Sequence, residues 1–176
     1  MAIKNVLRMG DERLLKVSEE IARTKIIAHR DFLSSLLNDM KDTMAHYQGV
    51  GIAAPQIGVN VRVILFGFEA NDRYPNEQSI PETFIINPTY KVLGNQTVPG
   101  LEGCLSVPGL RGSVDRFYEI SYSGYSIDGE LIERTVSGFH ARVIQHECDH
   151  LDGILFPFRI KDFSQFGYED IMMSRK

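Results

Sequence analysis

The chain has 176 residues, of which 43% are hydrophobic and 24% are charged, and its formal net charge at pH 7 is −4. This length is typical of one globular domain with a substantial core, so we expect residues 1–176 to form a single domain. The acidic balance argues against direct nucleic-acid binding, and no apolar run is long enough to span a membrane. The N-terminus has no apolar signal segment, which predicts a cytoplasmic protein.

The chain contains two cysteines, Cys104 and Cys148. A small secreted domain that is stabilised by disulfides would contain more cysteines. We therefore expect a reducing compartment, in which a thiolate is available to bind a metal. A Cys104–Cys148 disulfide is the competing interpretation, and it would consume the thiol that a metal site needs.

The first third of the chain predicts an extended arm and a short turn over residues 11–22, followed by a helix. Over 29–47, leucines and methionines recur at three- and four-residue spacing, which is typical of an amphipathic helix. Residues 49–58 then break this pattern, and Gly49 and Gly51 suit close approach of the backbone to another group. Gln56 has only apolar neighbours, so its amide is either a structural hydrogen-bonding group or a donor directed at a ligand.

The middle of the chain predicts strands. Residues 62–68 are rich in β-branched and aromatic side chains, 69–81 form a polar loop, and 83–87 and 89–93 are two short strands around Pro88. Residues 117–126 and 130–136 predict a hairpin with its turn at Asp128 and Gly129. Together with the helices, this order favours an α+β fold in which antiparallel β-sheets pack around a central metal-binding helix.

That central helix is predicted over residues 137–151, with Ser137 as its N-cap and Gly153 just past its end. His146 and His150 are four residues apart, so both imidazoles project from one face of the helix. With Glu147 they form the pattern H-E-x-x-H, in which the histidines bind a divalent metal and the glutamate moves protons for a bound water. The alternative is a coincidental pair of helical histidines.

A catalytic metal of this kind usually has three protein ligands. Metallopeptidases take the third from downstream of the motif, where this chain has no further histidine. Upstream, Cys104 lies in the strand-like segment 102–106, and a thiolate with two imidazoles suits a borderline-soft cation. Cys148 points away from the histidine face of the helix, so we predict Cys104, His146 and His150 as ligands and Cys148 as a packing residue.

Three stretches together resemble the signature motifs of peptide deformylases, in the same order and with similar spacing. They are Gly-Val-Gly-Ile-Ala-Ala-Pro-Gln at 49–56, Glu-Gly-Cys-Leu-Ser at 102–106 and Gln-His-Glu-Cys-Asp-His at 145–150. The resemblance implies removal of the formyl group from formyl-Met N-termini of nascent polypeptides, at the ribosome. It also implies that one divalent ion, Fe²⁺ in the cell with Zn²⁺, Ni²⁺ or Co²⁺ as replacements, is held by the three predicted ligands.

The predicted chemistry is then coherent. A bound metal would lower the pKa of its water, Glu147 would take the proton, and the resulting hydroxide would attack the formyl carbon. The Gln56 amide and the Leu105 backbone N–H would stabilise the developing oxyanion together with the metal. Glu147 would finally pass its proton to the departing amine.

The resemblance also suggests substrate-binding residues. Val50, Phe139 and Val143 occupy positions expected to form the methionine pocket, although each could equally be core. Backbone groups of Val50 and Gly51 could pair the peptide as an added strand. Arg111 is either a contact for downstream carbonyls or a solvated surface charge.

Arg142 departs from the family pattern, because other members often carry an apolar residue there. Whether its side chain lines the pocket or turns outward stays open. His29, His46 and His140 are interpreted as ordinary surface histidines. No role is predicted for residues 163–176.

Two other functions compete with deformylation. One is a metallopeptidase that cleaves internal peptide bonds, against which the absence of a downstream ligand argues. The other is a non-catalytic module that binds N-termini or stores metal. Loss of Glu147 or Gln56 would favour such a module, and both residues are present.

Overall fold

A computed structural model describes residues 3–69 and 77–175, which fold into two antiparallel sheets and three α-helices. The larger sheet has the order β1-β2-β3-β6-β7, with β1 Gly51–Ala53, β2 Val63–Phe68, β3 Ile80–Val92, β6 Glu119–Tyr125 and β7 Leu131–Ser137. The smaller sheet has the order β4-β5-β8, with β4 Thr97–Cys104, β5 Val107–Phe117 and β8 Phe166–Tyr168. The helices are α1 Arg30–His46, α2 Gly138–Leu151 and α3 Glu169–Ser174.

Helix α1 confirms the amphipathic pattern of the sequence. Leu33, Leu36, Met40 and Met44 recur at three- and four-residue spacing and are all buried. They belong to a core cluster that includes Leu65 of β2. Burying such an apolar stripe provides most of the stability of a surface helix, which explains why this segment forms one.

Helix α2 lies between the two sheets, as the sequence predicts. Ala141, Ile144, Cys148 and Leu151 recur along one side and pack in a core cluster with side chains of the larger sheet, such as Phe66. The opposite side faces the smaller sheet and carries the polar residues described below. The predicted α+β fold with antiparallel sheets around a central helix is therefore confirmed.

The predicted ends of α2 are also confirmed, with one difference. Gly153 has a φ of +72°, and a Cβ on this residue would lie 2.5 Å from the Leu15 carbonyl oxygen, so both conformation and space require glycine. Ser137 occupies the N-cap position, but its side chain makes no capping hydrogen bond.

The two short strands predicted around Pro88 are one bent strand. Strand β3 runs through this point, and its pairing with β6 shifts between Ile86 and Thr89. Asn87 has a φ of 51° at the shift. Its side chain accepts a hydrogen bond from the Ile21 N–H at 3.0 Å and donates one to the Ile21 carbonyl at 2.7 Å. The bulge therefore fastens the N-terminal arm to the sheet.

Other details of the sequence-based prediction were incomplete. In the arm over 11–22 the turn comes first, at Glu12–Leu15, and extended chain follows it. Of the β4–β5 hairpin only the strand-like segment 102–106 was predicted, and the short strand β1 and the C-terminal elements β8 and α3 were not predicted. Most of the predicted loop 69–81 lies outside the described residues. Among the helices described, none is long and apolar enough to cross a membrane.

Candidate active site

Three possible metal ligands meet where the end of β4 lies against α2. Their donor atoms, the Cys104 Sγ and one ring nitrogen each of His146 and His150, all lie within 4.8 Å of one another. Within residues 3–69 and 77–175 this is the only such group of His, Cys, Asp or Glu. Cys148 is buried in the core on the other side of α2, and both cysteines are free thiols. One thiolate and two imidazoles form a donor set that suits a borderline-soft divalent cation and leaves a coordination position for substrate.

A hydrogen bond from outside the donor cluster orients the His146 imidazole, whereas the Nδ1 of His150 is buried without a hydrogen-bond partner among the described residues. The Nδ1 of His146 lies 2.9 Å from the Glu102 carboxylate, so its Nε2 is left for the donor cluster. Burial alone would lower the pKa of His146, but its hydrogen bonds with Cys104 and Glu102 raise it well above the ordinary value. The Nε2 of His150 lies 3.2 Å from the Cys104 Sγ. Burial and the neighbouring His146 hold the pKa of His150 well below its ordinary value.

The Glu102 carboxylate is the centre of a buried charge network that the sequence analysis missed. Arg116 binds it through two hydrogen bonds of 2.8 and 2.9 Å, and Arg142 adds a third of 2.9 Å. Arg116 also reaches Asp149 at 2.6 Å, and Asp149 in turn pairs with Arg159. Burial would raise the pKa of Glu102, but its bonds with Arg116 and His146 hold it well below its ordinary value.

Glu147 has the environment of a general base. Its side chain is 4% exposed, and burial raises its pKa to about 7. A Cβ on Gly51 would lie 2.8 Å from the Glu147 Cδ, so the carboxylate rests directly on the glycine backbone. The Oε2 atom has no hydrogen-bond partner among the described residues. A carboxyl group that titrates near neutral pH can both accept and release a proton during a reaction.

Gln56 is held so that its amide nitrogen faces the donor cluster. Its Oε1 accepts a hydrogen bond of 2.8 Å from the Ala53 N–H. Its Nε2 donates to the Ser106 hydroxyl at 3.1 Å and approaches the Cys104 Sγ at 3.4 Å. Leu105 follows Cys104 in the turn between β4 and β5 and lines the same cavity as Gln56.

All five residues predicted to bind substrate line this cavity. They are Val50, Gly51, Arg111, Phe139 and Val143. The interpretation of Arg111 as a solvated surface charge is wrong, since only 2% of the residue is exposed. Its guanidinium packs on Gly103 and binds the Glu169 carboxylate of α3 at 2.6 and 3.0 Å.

The structure also resolves the position of Arg142, whose side chain lines the cavity and does not turn outward. A second correction concerns His140, because its Nε2 is buried and its ring lies 5.6 and 5.9 Å from those of Phe66 and Tyr122. His29 and His46 are exposed, as predicted.

Comparison with known sequences gives a consistent result. The sequence pattern of the family described as "Polypeptide deformylase" matches residues 3–166. The chain belongs to the peptide deformylase family. The chain is 52% identical over 170 residues to "Peptide deformylase 1" of Bordetella pertussis and 50% identical to "Peptide deformylase 2" of Ralstonia nicotianae. Each alignment covers 97% of this chain and 94% of the relative.

Solved structures of peptide deformylases share the fold. A class I type b peptide deformylase from Acinetobacter baumannii, described as Met-Ala-Ser bound, superposes with a TM-score of 0.85 at 35% identity, covering 90% of this chain and 99% of that one. The enzyme from Thermotoga maritima gives a TM-score of 0.78 at 31% identity, covering 92% and 100%. The chain is therefore an enzyme of this family, which removes the formyl group from the N-termini of nascent peptides.

Proposed function

We propose that this deformylase is a metal-dependent hydrolase, with residues 1–176 as one catalytic domain and Cys104, His146 and His150 as its metal ligands. One observation carries the proposal: the buried Glu147 carboxylate lines the same cavity as Cys104 and His146, and the His150 donor atom lies within 4.8 Å of theirs. A bound divalent cation would polarise the formyl carbonyl and lower the pKa of a water. Fe²⁺ is the ion proposed for the cell.

Glu147 acts first as base and then as acid. It accepts the proton of the water that attacks the formyl carbon, and a pKa of about 7 makes its carboxylate available near neutral pH. After the C–N bond breaks, the protonated carboxyl gives its proton to the departing amine. The products are formate and a free N-terminus.

Two groups stabilise the negative charge that develops on the formyl oxygen. They are the Gln56 amide and the Leu105 backbone N–H, and the hydrogen bonds that fix Gln56 in advance reduce the reorganisation needed during the reaction. The Glu102 network keeps the His146 ring in one orientation.

The walls of the cavity bind the peptide. Val50, Phe139 and Val143 supply apolar surface for the methionine side chain, and the Val50 and Gly51 backbone pairs with the peptide as an added strand. Arg111 lines the cavity while its guanidinium binds Glu169, and it is the residue proposed to contact carbonyl groups further along the peptide. Because the substrate is a nascent chain, the enzyme acts in the cytoplasm, close to the ribosome.

The test compares two activities on one preparation. Formate release from a formyl-Met-Ala peptide is measured beside cleavage of a longer, unformylated peptide. Rapid formate release without internal cleavage supports the proposal. Internal cleavage without formate release would instead identify a metallopeptidase, and neither reaction in a metal-loaded sample would indicate a binding module.

A further inference from the structure

A second cavity adjoins the one that Cys104, His146 and Glu147 line. The first has a volume of about 60 Å³ and the second of about 310 Å³. Val98, Pro99, Phe117 and Tyr118 are among the residues that line only the second. Three side chains line both cavities and form the partition between them: Leu101, Phe139 and Arg142.

Arg142 is the most firmly held member of this partition. Its Nη1 donates to the Glu102 carboxylate at 2.9 Å and to the Val114 carbonyl at 2.8 Å. Its Nη2 donates to the Val98 carbonyl at 2.6 Å. A Cβ on Gly100 would lie 2.7 to 3.1 Å from the guanidinium atoms, so the group lies directly on the glycine backbone.

These contacts make the partition a fixed wall. The guanidinium has a carboxylate partner and binds carbonyls of both β4 and β5, so moving it would break an ion pair and two further hydrogen bonds at once. Its charge is already paired with Glu102. Because these bonds occupy the guanidinium, the part of Arg142 left to meet an apolar ligand in the first cavity is its aliphatic stem.

We propose that Arg142 determines substrate specificity as the end wall of the pocket for the first side chain, and that the second cavity is a latent extension of that pocket. The inference rests on the proposed function, because the apolar side walls, Val50, Phe139 and Val143, are those assigned there to methionine. With the wall in place, a side chain longer than methionine is rejected. With the wall shortened, an unbranched apolar chain extends into the second cavity.

The experiment compares kcat/KM for two formylated dipeptides that differ only in the first side chain, methionine in one and an n-octyl chain in the other. We expect the unaltered enzyme to prefer methionine by about a hundredfold, since hydrophobic pockets discriminate on this scale between side-chain lengths. Arg142→Ala should reduce this preference by about tenfold or more. Arg116 remains paired with Glu102 in this variant, so the carboxylate keeps a charged partner.

Two further variants make the result decisive. Leu101→Ala shortens the same partition without changing a charge and should also relax the preference, which keeps the test valid if Arg142→Ala fails to fold. Arg134→Ala removes an arginine that lines neither cavity and should leave the preference unchanged. If Arg142→Ala and Leu101→Ala release formate with the same preference for methionine as the unaltered enzyme, the inference is overturned while the deformylase activity stands. The inference is also overturned if the unaltered enzyme accepts both substrates equally well.

Failure of the proposed function gives a different result. If no formyl peptide releases formate, the partition is tested by calorimetric binding of two deformylated peptides, Met-Ala-Ser and its n-octyl counterpart, to the metal-loaded proteins. Tighter binding of the n-octyl peptide to Arg142→Ala and Leu101→Ala than to the unaltered protein supports the inference that these side chains limit the pocket. Equal affinities in all four proteins would overturn it.

Discussion

At the scale of single residues, the absence of a side chain at Gly51 is as important to the site as the carboxylate beside it. Gly51→Ala would place a methyl group 2.8 Å from the Glu147 Cδ and 3.0 Å from its Cγ. The carboxylate would have to shift within a buried space, and a displacement of about 1 Å can cost a hundredfold in rate. We expect kcat for formate release to fall by about that factor, with the protein still folded.

A matched glycine provides the control. Gly167 has an ordinary backbone conformation, and a Cβ there would meet only Met172 atoms at 3.4 and 3.5 Å, which is normal packing distance. Gly167→Ala should therefore retain its activity. Equal kcat values for the two alanine variants would contradict the close packing of Glu147 on Gly51.

Replacing each of the two cysteines with serine should have opposite effects on metal content and activity. Cys104→Ser should lose most of its metal and its activity, because a serine hydroxyl is a poor replacement for a thiolate ligand. Cys148→Ser should keep both and lose only stability, by about 1–3 kcal/mol, since it buries a hydroxyl in an apolar cluster. Metal content and formate release are measured on each variant. A Cys104→Ser protein with full metal content would exclude Cys104 as a ligand.

His140 predicts a pH dependence of stability that is separate from catalysis. Burial, with a smaller contribution from Arg134, lowers its pKa from 6.5 to about 4. The folded protein therefore holds the ring neutral while the unfolded chain protonates it, so stability falls as the pH drops from about 6.5 to about 4. His140→Phe should remove about 1–2 kcal/mol of this acid-induced loss, a range that allows for solvent screening of a partly exposed group.

The measurement is urea unfolding at pH 7.5 and pH 4.5. His29→Gln is the control, because His29 is exposed and its variant should lose as much stability in acid as the unaltered protein. If His140→Phe loses as much stability in acid as the unaltered protein and His29→Gln, the half-buried His140 imidazole does not contribute to that loss.

Site residues that are recognisable by their type and spacing could be predicted from the sequence. Those whose role depends on what surrounds them in the fold could not. His146, Glu147 and His150 follow from helical geometry, and Cys104 from the chemistry of metal ligands. Glu102 resembles any other acidic residue in the sequence, because nothing local shows that Arg116 and Arg142 will surround it. Its position two residues before the proposed ligand Cys104 was the one available signal, since metal-binding histidines usually need a carboxylate or carbonyl partner.

At the scale of elements, the bulge in β3 connects the larger sheet to the N-terminal arm. Asn87→Gly should lose its two hydrogen bonds to Ile21, at a cost of about 1–3 kcal/mol, while still accepting a φ of 51°. Asn87→Ala loses the same bonds and keeps a Cβ in the left-handed region, where alanine is about 1 kcal/mol less favourable than glycine. Equilibrium unfolding in urea should therefore show the unaltered protein as the most stable, Asn87→Gly as intermediate and Asn87→Ala as the least stable. An alanine variant as stable as the unaltered protein would show that the bulge does not fasten the arm.

The β4–β5 hairpin explains why some elements could not be predicted. Pro99, Gly100, Gly103, Pro108 and Gly109 all fall in these strands and in sequence are typical of loops. In the fold, Gly100 and Gly103 are the positions on which the Arg142 and Arg111 guanidinium groups lie. These glycines serve tertiary contacts, which a local pattern cannot indicate. Strand β8 is likewise defined by its pairing with β5 and carries no strong signal of its own.

At the scale of the whole molecule, segments distant in sequence meet at the site. The larger sheet supplies Gly51, the smaller sheet supplies Cys104, and α2 between them supplies both histidines and Glu147. The residues that precede the arm bind the backbone around the site. The Leu7 N–H donates to the Gln56 carbonyl at 2.8 Å, and the Met9 N–H donates to the Ser106 carbonyl at 2.7 Å. Both sheets and this N-terminal segment therefore have to assemble before the backbone around the site is complete.

The most direct test of the proposed chemistry is formate release by Glu147→Ala, with the metal content of the same oxygen-free sample determined alongside. Glu147 is not among the donor atoms, so the variant should keep its metal. It should release formate about a thousandfold more slowly than the unaltered enzyme, because the general base is gone. A metal-loaded Glu147→Ala protein that turns over formyl-Met-Ala at the unaltered rate would show that Glu147 does not move the proton.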